Sequence, residues 1–484
     1  MIRHSRRLGI GAVIMLGTVL LQVGATMAGD TYWQHDPATQ GDWFGTFNWT
    51  AGVPRSSSDF AYVQNGGTVS VSGGSGMCGG LYVGGTDPCT MLHSAGYMRV
   101  IDLKIGWFGT GTYWLGAGGT LSASVESIGS HTDTSQVGSF IQDGGVHELD
   151  HSIKMGRFGT GTYEMNDGIL RTGRLHVGDA DVGYPCLFRQ NGGSCQVWDG
   201  LSVGRGTYEL HGGDLLSANF SAAALDIRGG QSFLQTGGDH TVADTAYVRG
   251  CYEQTGGVLV AEGRFFVLGQ NASYVISGGT ASFSELIAGP TFGGLEPGEI
   301  RIANASASLS VATRLCLGPK GTLAAVPGAT VCVGDASVEN QSTDESALAG
   351  LSNLGLVFQG AGGGTATLEV GGMDLGAELE GFRENFALAS ISLGGEAYPS
   401  VRLVDAYDNG NRGGPAGVAE ALYLHNLTLG PGSTLDMNTL HIYYDGVFLS
   451  QGAILNGQPV FVPEPGTLAL LAVGGLLAMR RRMG

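Results

Sequence analysis

The candidates for acid–base chemistry set a histidine or an arginine close to a carboxylate: His147-Glu148, Asp150-His151, Asp226 with Arg228, and Asp239-His240. Acid–base work on a polysaccharide needs such groups in sets. Hydrolysis takes two carboxylates flanking the scissile bond, and elimination takes a base with acidic or calcium support. None of the four recurs at an interval that would stack acids side by side, and none has a third partner nearby, so catalysis is not expected. No Gly-x-Ser-x-Gly stretch is followed by an acid and a base, and nothing around Cys251 would activate its thiol. Gly362-Gly363-Gly364 lacks the Lys-Ser/Thr partner of a phosphate loop and reads as a turn. Asp405, Asp408, Asn409 and Asn411 make an oxygen-rich turn suited to structural calcium, but without the spacing or terminal glutamate of an EF-hand. A solvated turn is the plainer expectation there, and no cofactor is expected elsewhere.

The elements that carry these residues are set by an internal repeat. Ile105-Gly106-Trp107-Phe108-Gly109-Thr110-Gly111-Thr112-Tyr113 returns as Met155-Gly156-Arg157-Phe158-Gly159-Thr160-Gly161-Thr162-Tyr163, and in shorter form at Val203 to Tyr208. A second half recurs as Phe140-Ile141-Gln142-Asp143-Gly144-Gly145, Phe188-Arg189-Gln190-Asn191-Gly192-Gly193, Phe233-Leu234-Gln235-Thr236-Gly237-Gly238, Tyr252-Glu253-Gln254-Thr255-Gly256-Gly257 and Tyr274-Val275-Ile276-Ser277-Gly278-Gly279. The turn glycines fall about 23 residues apart, a solenoid period. Between them apolar residues alternate for four or five positions, which is strand rather than helix patterning. One such coil has an apolar face and no lid. Stacking equal coils supplies the lid, with backbones pairing about 4.8 Å apart and inward side chains in ladders. The expected fold is all-β: a right-handed parallel β-solenoid with coils of about 20–26 residues.

Residues 77–285 are the glycine-rich repeats, and 286–400 continue them in degenerate form or make a second β-rich unit. Residues 29–76 hold Trp33, Trp43 and Trp49 and form entering strands with a cap. This stretch resembles the tryptophan-rich start of autotransporter-like secreted β-solenoids. An aromatic platform for sugars is the alternative, and exposure of Trp33 and Trp43 would tell the two apart. Residues 401–461 are expected to be a C-terminal β cap.

Both ends carry address labels. Arg3, Arg6 and Arg7 precede an apolar stretch from Leu8 to Val23 and small residues, so 1–28 reads as a signal peptide cleaved near Ala25 or Ala28. At the other end, Val462-Pro463-Glu464-Pro465 leads into a short apolar run that stops at Arg480-Arg481-Arg482. The run has about 13 residues against the ~20 of a comfortable membrane crossing. Prolines at its start and arginines at its end suit transient membrane association. In order and position these residues resemble the PEP-CTERM sorting signal of exported bacterial proteins, over 462–484. The resemblance implies processing by an exosortase-type membrane transpeptidase, a Gram-negative-type envelope, outer-surface or matrix location, and association with exopolysaccharide or biofilm.

Composition agrees with export of a β-rich chain. Glycine is 86 of 484 residues, proline only 14, and hydrophobics remain at 43%, which excludes collagen and disordered linkers. The formal charge of −18 falls to about −23 once six terminal arginines and Glu464 are removed, so nucleic acid is not an expected partner. In an oxidising compartment the seven cysteines would suit the bridges Cys78–Cys89, Cys186–Cys195 and Cys316–Cys332, with Cys251 left over. Without a CxxC or histidines at finger spacing, zinc is not expected. The sequence therefore points to a non-catalytic exported structural protein. A carbohydrate-binding or polysaccharide-degrading β-helix is the alternative.

Overall fold

The computed structural model describes residues 29–129, 136–157, 159–178, 184–219, 222–289, 296–360, 363–395 and 397–463. The cleavage positions Ala25 and Ala28, and the tail residues Glu464, Pro465 and Arg480 to Arg482, lie outside them. The described chain is nearly all β, 3% helical, and winds into a parallel β-solenoid of about 16 turns about 23 residues apart.

Each coil has three sides. In one, these are Gly206–Leu210, Asp214–Ser217 and Leu225–Ile227; in the next, Ser232–Gln235, Asp239–Val242 and Ala246–Val248. They pair in parallel, side on side, with Tyr208 opposite Phe233, Leu215 opposite His240 and Ile227 opposite Val248. Nearer the N-terminus the corners are bulges, so Thr68–Asp87, Cys89–Ile105, Thr110–Ile128 and Val137–Met155 run round the coil as single strands. Alternation places every second side chain inside. The Gly-Gly corner repeats for a steric reason. Gly213 has φ 76°, and a Cβ there would lie 2.2 Å from the carbonyl oxygen of Gly193 one coil below. Gly238 repeats this against Gly213, so only glycine lets the corners nest.

Inward aromatics on the first side form one stack. Tyr113, Phe140, Tyr163, Phe188, Tyr208, Phe233 and Tyr252 are all buried, with neighbouring ring centroids 4.6 to 5.1 Å apart and nearly parallel. Whether this inward position carries tyrosine or a residue without a hydroxyl follows from the inward residue two positions further along on the preceding coil. Where that residue is His93, Gln142, Gln190, Gln235 or Gln254, the next coil carries Tyr113, Tyr163, Tyr208, Tyr252 or Tyr274. Where it is Leu115, Met165, Leu210 or Ile276, the next coil carries Phe140, Phe188, Phe233 or Ile300. The cause is hydrogen bonding. Tyr163, Tyr208, Tyr252 and Tyr274 donate to the Oε1 of Gln142, Gln190, Gln235 and Gln254 at 2.7 to 2.9 Å. Each glutamine Nε2 then donates to its own corner glycine and to a carbonyl of the following coil, as Gln235 does to Gly238 and Val258. A buried amide is expensive unless satisfied, and here every polar end has a partner.

The N-terminal tryptophans close the stack. Trp33, Trp43 and Trp49 are 3%, 0% and 2% exposed and meet edge to face at 4.9 and 5.0 Å. With no ring face turned to solvent they are packed as core rather than presented as a sugar platform. Beyond residue 285 the same stack continues: Thr280–Ala288 pairs with Ser308–Leu317, and later Ser400–Val404 with Thr434–Asp436. Residues 401–461 supply the last coils of the stack. The final strands, Phe448–Ser450, Ala453–Leu455 and Val460–Phe461, leave Leu449, Leu455, Val460 and Phe461 exposed.

All seven cysteines are free thiols, so the bridges Cys78–Cys89, Cys186–Cys195 and Cys316–Cys332 are not formed. Register explains this. Cys186 and Cys195 lie on different sides of a coil, opposite Gly206 and Leu215 of the next coil. Burial pushes three of these thiols up, Cys186 to about 11 and Cys195 and Cys316 to about 12, which suits packing rather than nucleophilic chemistry at those positions.

Candidate functional site

Strand alternation separates the neighbours that looked like acid–base pairs. His147 and His240 point into the core, while Glu148 and Asp239 point out. Glu148 is bound instead by Arg171 of the next coil at 2.7 Å, and Asp226 by Arg249. Arg228 reaches Asp226 only at 3.8 Å. Asp150 and His151 are both exposed, and Asp150 accepts from Ser124. Outward carboxylates on this rod are thus often tied to an arginine or hydroxyl one coil away.

The buried histidines belong to the tyrosine network. Tyr252 gives its hydroxyl hydrogen to Gln235, so His240 Nδ1, 2.9 Å from that hydroxyl, must be the donor. Its Nε2 then accepts from Ser217 at 3.0 Å, as a neutral ring requires, and burial pushes His240 down to about 3. His93 is driven down to about 4 for the same reason. His147 has a different neighbour: its Nε2 lies 3.1 Å from Glu126 Oε2, with both side chains 0% exposed. Glu126 stands in the inward column between Leu103 and Ile153, where a carboxylate was not foreseen.

A second group of carboxylates gathers at the C-terminal end, beside the turn that the sequence marked for calcium. Glu369 ends the strand Thr365–Glu369, Asp405 follows Ser400–Val404, and Glu420 closes the loop between them and Leu422–Leu429. One carboxylate oxygen from each lies within 4.8 Å of the others. Glu420 Oε1 accepts from the backbone N–H of Asn409 and of Asn411, and Glu369 Oε1 from that of Tyr407. Arg412 grips Asp405 at 2.6 Å. Burial raises both Glu369 and Glu420 to about 7 against the pull of those backbone donors. The other residues of the turn face elsewhere. Asp408 accepts only from Gly410, while Asn409 and Asn411 donate through Nδ2 to carbonyls of Asn340, Ser342 and Gly371 and hold the loop to the coils. Sequence spacing could not show this cluster, because Glu369 and Glu420 are brought to Asp405 by coil stacking and a loop.

Two surfaces remain. Near the N-terminus Tyr32, Tyr62 and Tyr82 stack outside the coils at 4.8 Å, with Lys104 Nζ 5.1 Å from Tyr82 and 3.9 Å from Trp107. Because these rings cover each other's faces, the strip offers edges and hydroxyls. Farther along, a groove of about 710 Å³ opens between the short 3-10 turns Ser346–Asn353 and Leu379–Phe382, lined by Thr343, Glu345, Ser346, Phe382, Arg383 and Asn385. Glu384 and Phe386 beside it hold φ of 47° and 53°.

The chain leaves the stack at the sorting motif. Val462 is 1% exposed, its N–H bonds to Tyr444 O at 2.8 Å, and it packs with Tyr423 and Tyr443. The last strand, Val460–Phe461, thus runs directly into Val462 and Pro463. Among the described residues, no helix is long and apolar enough to cross a membrane. Comparison with curated proteins and with solved structures returned no match. Residues 461–482 match the PEP-CTERM protein-sorting motif. The chain is therefore an exported, cell-envelope-associated β-solenoid that carries a PEP-CTERM sorting signal and is handled by an exosortase-type system.

Proposed function

We propose that the mature protein is a non-catalytic rod displayed at the outer surface or in the extracellular matrix, where it acts as a spacer or scaffold among exopolysaccharide chains. The observation that carries this reading is the use of titratable groups. The buried histidines are bound within the core, and Glu148 and Asp226 are bound by arginines of adjacent coils. Among the described residues the convergent carboxylate group, Glu369, Asp405 and Glu420, is 6% and 1% exposed at its two glutamates, which presents little of either carboxylate to a sugar ring. Its strongly acidic surface suits contact with acidic polymer only through divalent cations. Cells expressing the chain without Pro463 to Gly484 should release it or retain it away from the surface; unchanged localisation would remove the sorting half of the proposal. Reducing-sugar release by the purified chain would remove the non-catalytic half.

The groove beside Phe382 and Arg383 supports the carbohydrate-binding alternative, since strained backbone at Glu384 and Phe386 is a feature that functional sites tolerate. Specific glycan binding that is lost on Arg383→Ala would favour that reading over a plain spacer.

A further inference from the structure

We propose that Glu369, Asp405 and Glu420 form a calcium site that clamps the loop of residues 405–420 to the side of the coil stack. The three residues come from one strand end, the start of the loop and its close, so an ion among them ties three separated segments together. The donors are all oxygen, which selects a hard cation over zinc or copper. Their separation, up to 4.8 Å, is the span that two ligands at calcium's 2.3–2.6 Å reach across the ion. Charge agrees as well. Three carboxylates less the Arg412 guanidinium leave a double negative charge to balance, that of one divalent ion.

A second observation is independent of the clustering. Glu420 is 1% exposed, and although its Oε1 holds two backbone N–H groups, its Oε2 is buried with no hydrogen-bond partner. Asn409, also 1% exposed and on the same loop, leaves its Oδ1 buried and unpartnered. Buried acceptors are seldom left bare, and a carboxylate oxygen least of all. The glutamine Oε1 atoms of the core are paired, and the other buried carboxylate without a hydrogen bond, Glu126, has the His147 ring 3.1 Å away, whereas Glu420 Oε2 has neither. Coordination beyond the three carboxylates would be completed by water, as calcium's six to eight oxygen ligands require.

The test uses the processed full chain, stripped with chelator and then given calcium or magnesium chloride. Metal analysis after gel filtration should find about one calcium per chain, and thermal unfolding should shift upward by several degrees with calcium, saturably, and less with magnesium. Glu420→Gln should lose the shift or weaken the calcium response at least tenfold, while Asp408→Asn, an exposed carboxylate on the same loop, should keep it. No retained calcium and no shift in the wild-type chain would overturn the site and leave a proton shared between the glutamates as the explanation. A shift that survives Glu420→Gln would overturn it equally, by assigning the effect to the acidic surface. If Glu420→Gln does not fold, the wild-type stoichiometry decides.

Discussion

The glycine-punctuated middle of the rod and its last third solve the same problem in opposite places. Between Cys89 and Ala288 the polar groups that fix register lie inside: a column of glutamine and histidine hydrogen-bonded to tyrosine, with coils about 23 residues apart. From Ser346 onward the core is mostly aliphatic, as Leu356, Ile391 and Leu427 stacked in register show. Two of those coils are about 35 residues long, and the extra chain forms the 3-10 turn Leu379–Phe382 and the 405–420 loop outside the stack. There the polar groups that fix register sit on the flank, as Asn409, Asn411 and Glu420 do. An inner polar column specifies coil length tightly, because one misplaced residue buries an amide without a partner. An outer clamp leaves coil length free. This explains why the repeat is legible in the middle and blurred later.

If the inner column does this work, its most loaded member should be the most costly to break. His147→Leu leaves Glu126 buried without a counter-group, which should cost about 3–5 kcal/mol. Replacing both, Glu126→Leu with His147→Leu, continues the aliphatic column of Leu103 and Ile153 and should recover most of that loss. Thermal unfolding of the two variants checks this, and a double variant as unstable as the single would show that the pair does not act as a unit.

The tyrosine–phenylalanine rule makes a sharper demand. Phe233→Tyr brings a hydroxyl against Leu210, where no acceptor waits, and should cost about 1–3 kcal/mol. Tyr208→Phe should cost a similar amount by stripping Gln190 Oε1 of its donor. Adding Leu210→Gln to Phe233→Tyr rebuilds the pattern of the Gln235–Tyr252 step, so the two changes should couple favourably in a double-mutant cycle. Additive losses would mean that ring stacking alone sets the order.

Much of this fold could be read in the chain before its structure. Regular Gly-Gly corners and alternating strands between them dictate stacked coils, and the terminal motifs declare export. What could not be read depends on parity and on neighbours. Glu126 lies in Ser124-Val125-Glu126-Ser127-Ile128, and a register shift between Ala123 and Val125 turns two successive residues outward and so drives the glutamate in. The Phe-x-Gln-x-Gly-Gly units were visible, but the reason for tyrosine at one ring and phenylalanine at the next appears only when adjacent coils are aligned. Neighbours in sequence misled in the same way: His147-Glu148 is one residue apart on opposite faces, and the true partner, Glu126, is a coil away. Cys186 and Cys195 likewise flank a corner yet belong to different sides. Asp405 was marked for its turn, while Glu369 and Glu420 carried no local signal at all.

Acid should also distinguish the two regions. His93 and His240 are held neutral, at about 4 and about 3, against about 6.5 in an unfolded chain. Their folded values are depressed, so the unfolded state binds more protons and the stability they support is lost as pH falls from about 6.5 toward those values. At one unit below 6.5 each histidine should lower stability by about 1.4 kcal/mol. His240→Gln keeps a polar group near Tyr252 and removes one titration, so its unfolding temperature should fall less steeply between pH 6.5 and 5 than that of the wild type. A slope that does not change would mean that His240 takes no part in the acid response.

The weakest effects should come from the ion pairs on the outside of those same coils. Arg171 with Glu148 and Arg174 with Asp199 lie 2.7 and 2.6 Å apart, yet all four side chains are more than two-fifths exposed. Solvent screening and the entropy of holding long side chains leave such pairs worth less than about 1 kcal/mol each. Arg171→Ala and Arg174→Ala should therefore barely move the unfolding temperature, and raising the salt concentration should erase what difference there is. The inner glutamine–tyrosine bonds should be indifferent to salt because they carry no net charge and exclude water. If the outer pairs instead prove as costly to remove as the tyrosine hydroxyls, register in the middle is set from the surface, and the contrast between the two regions disappears.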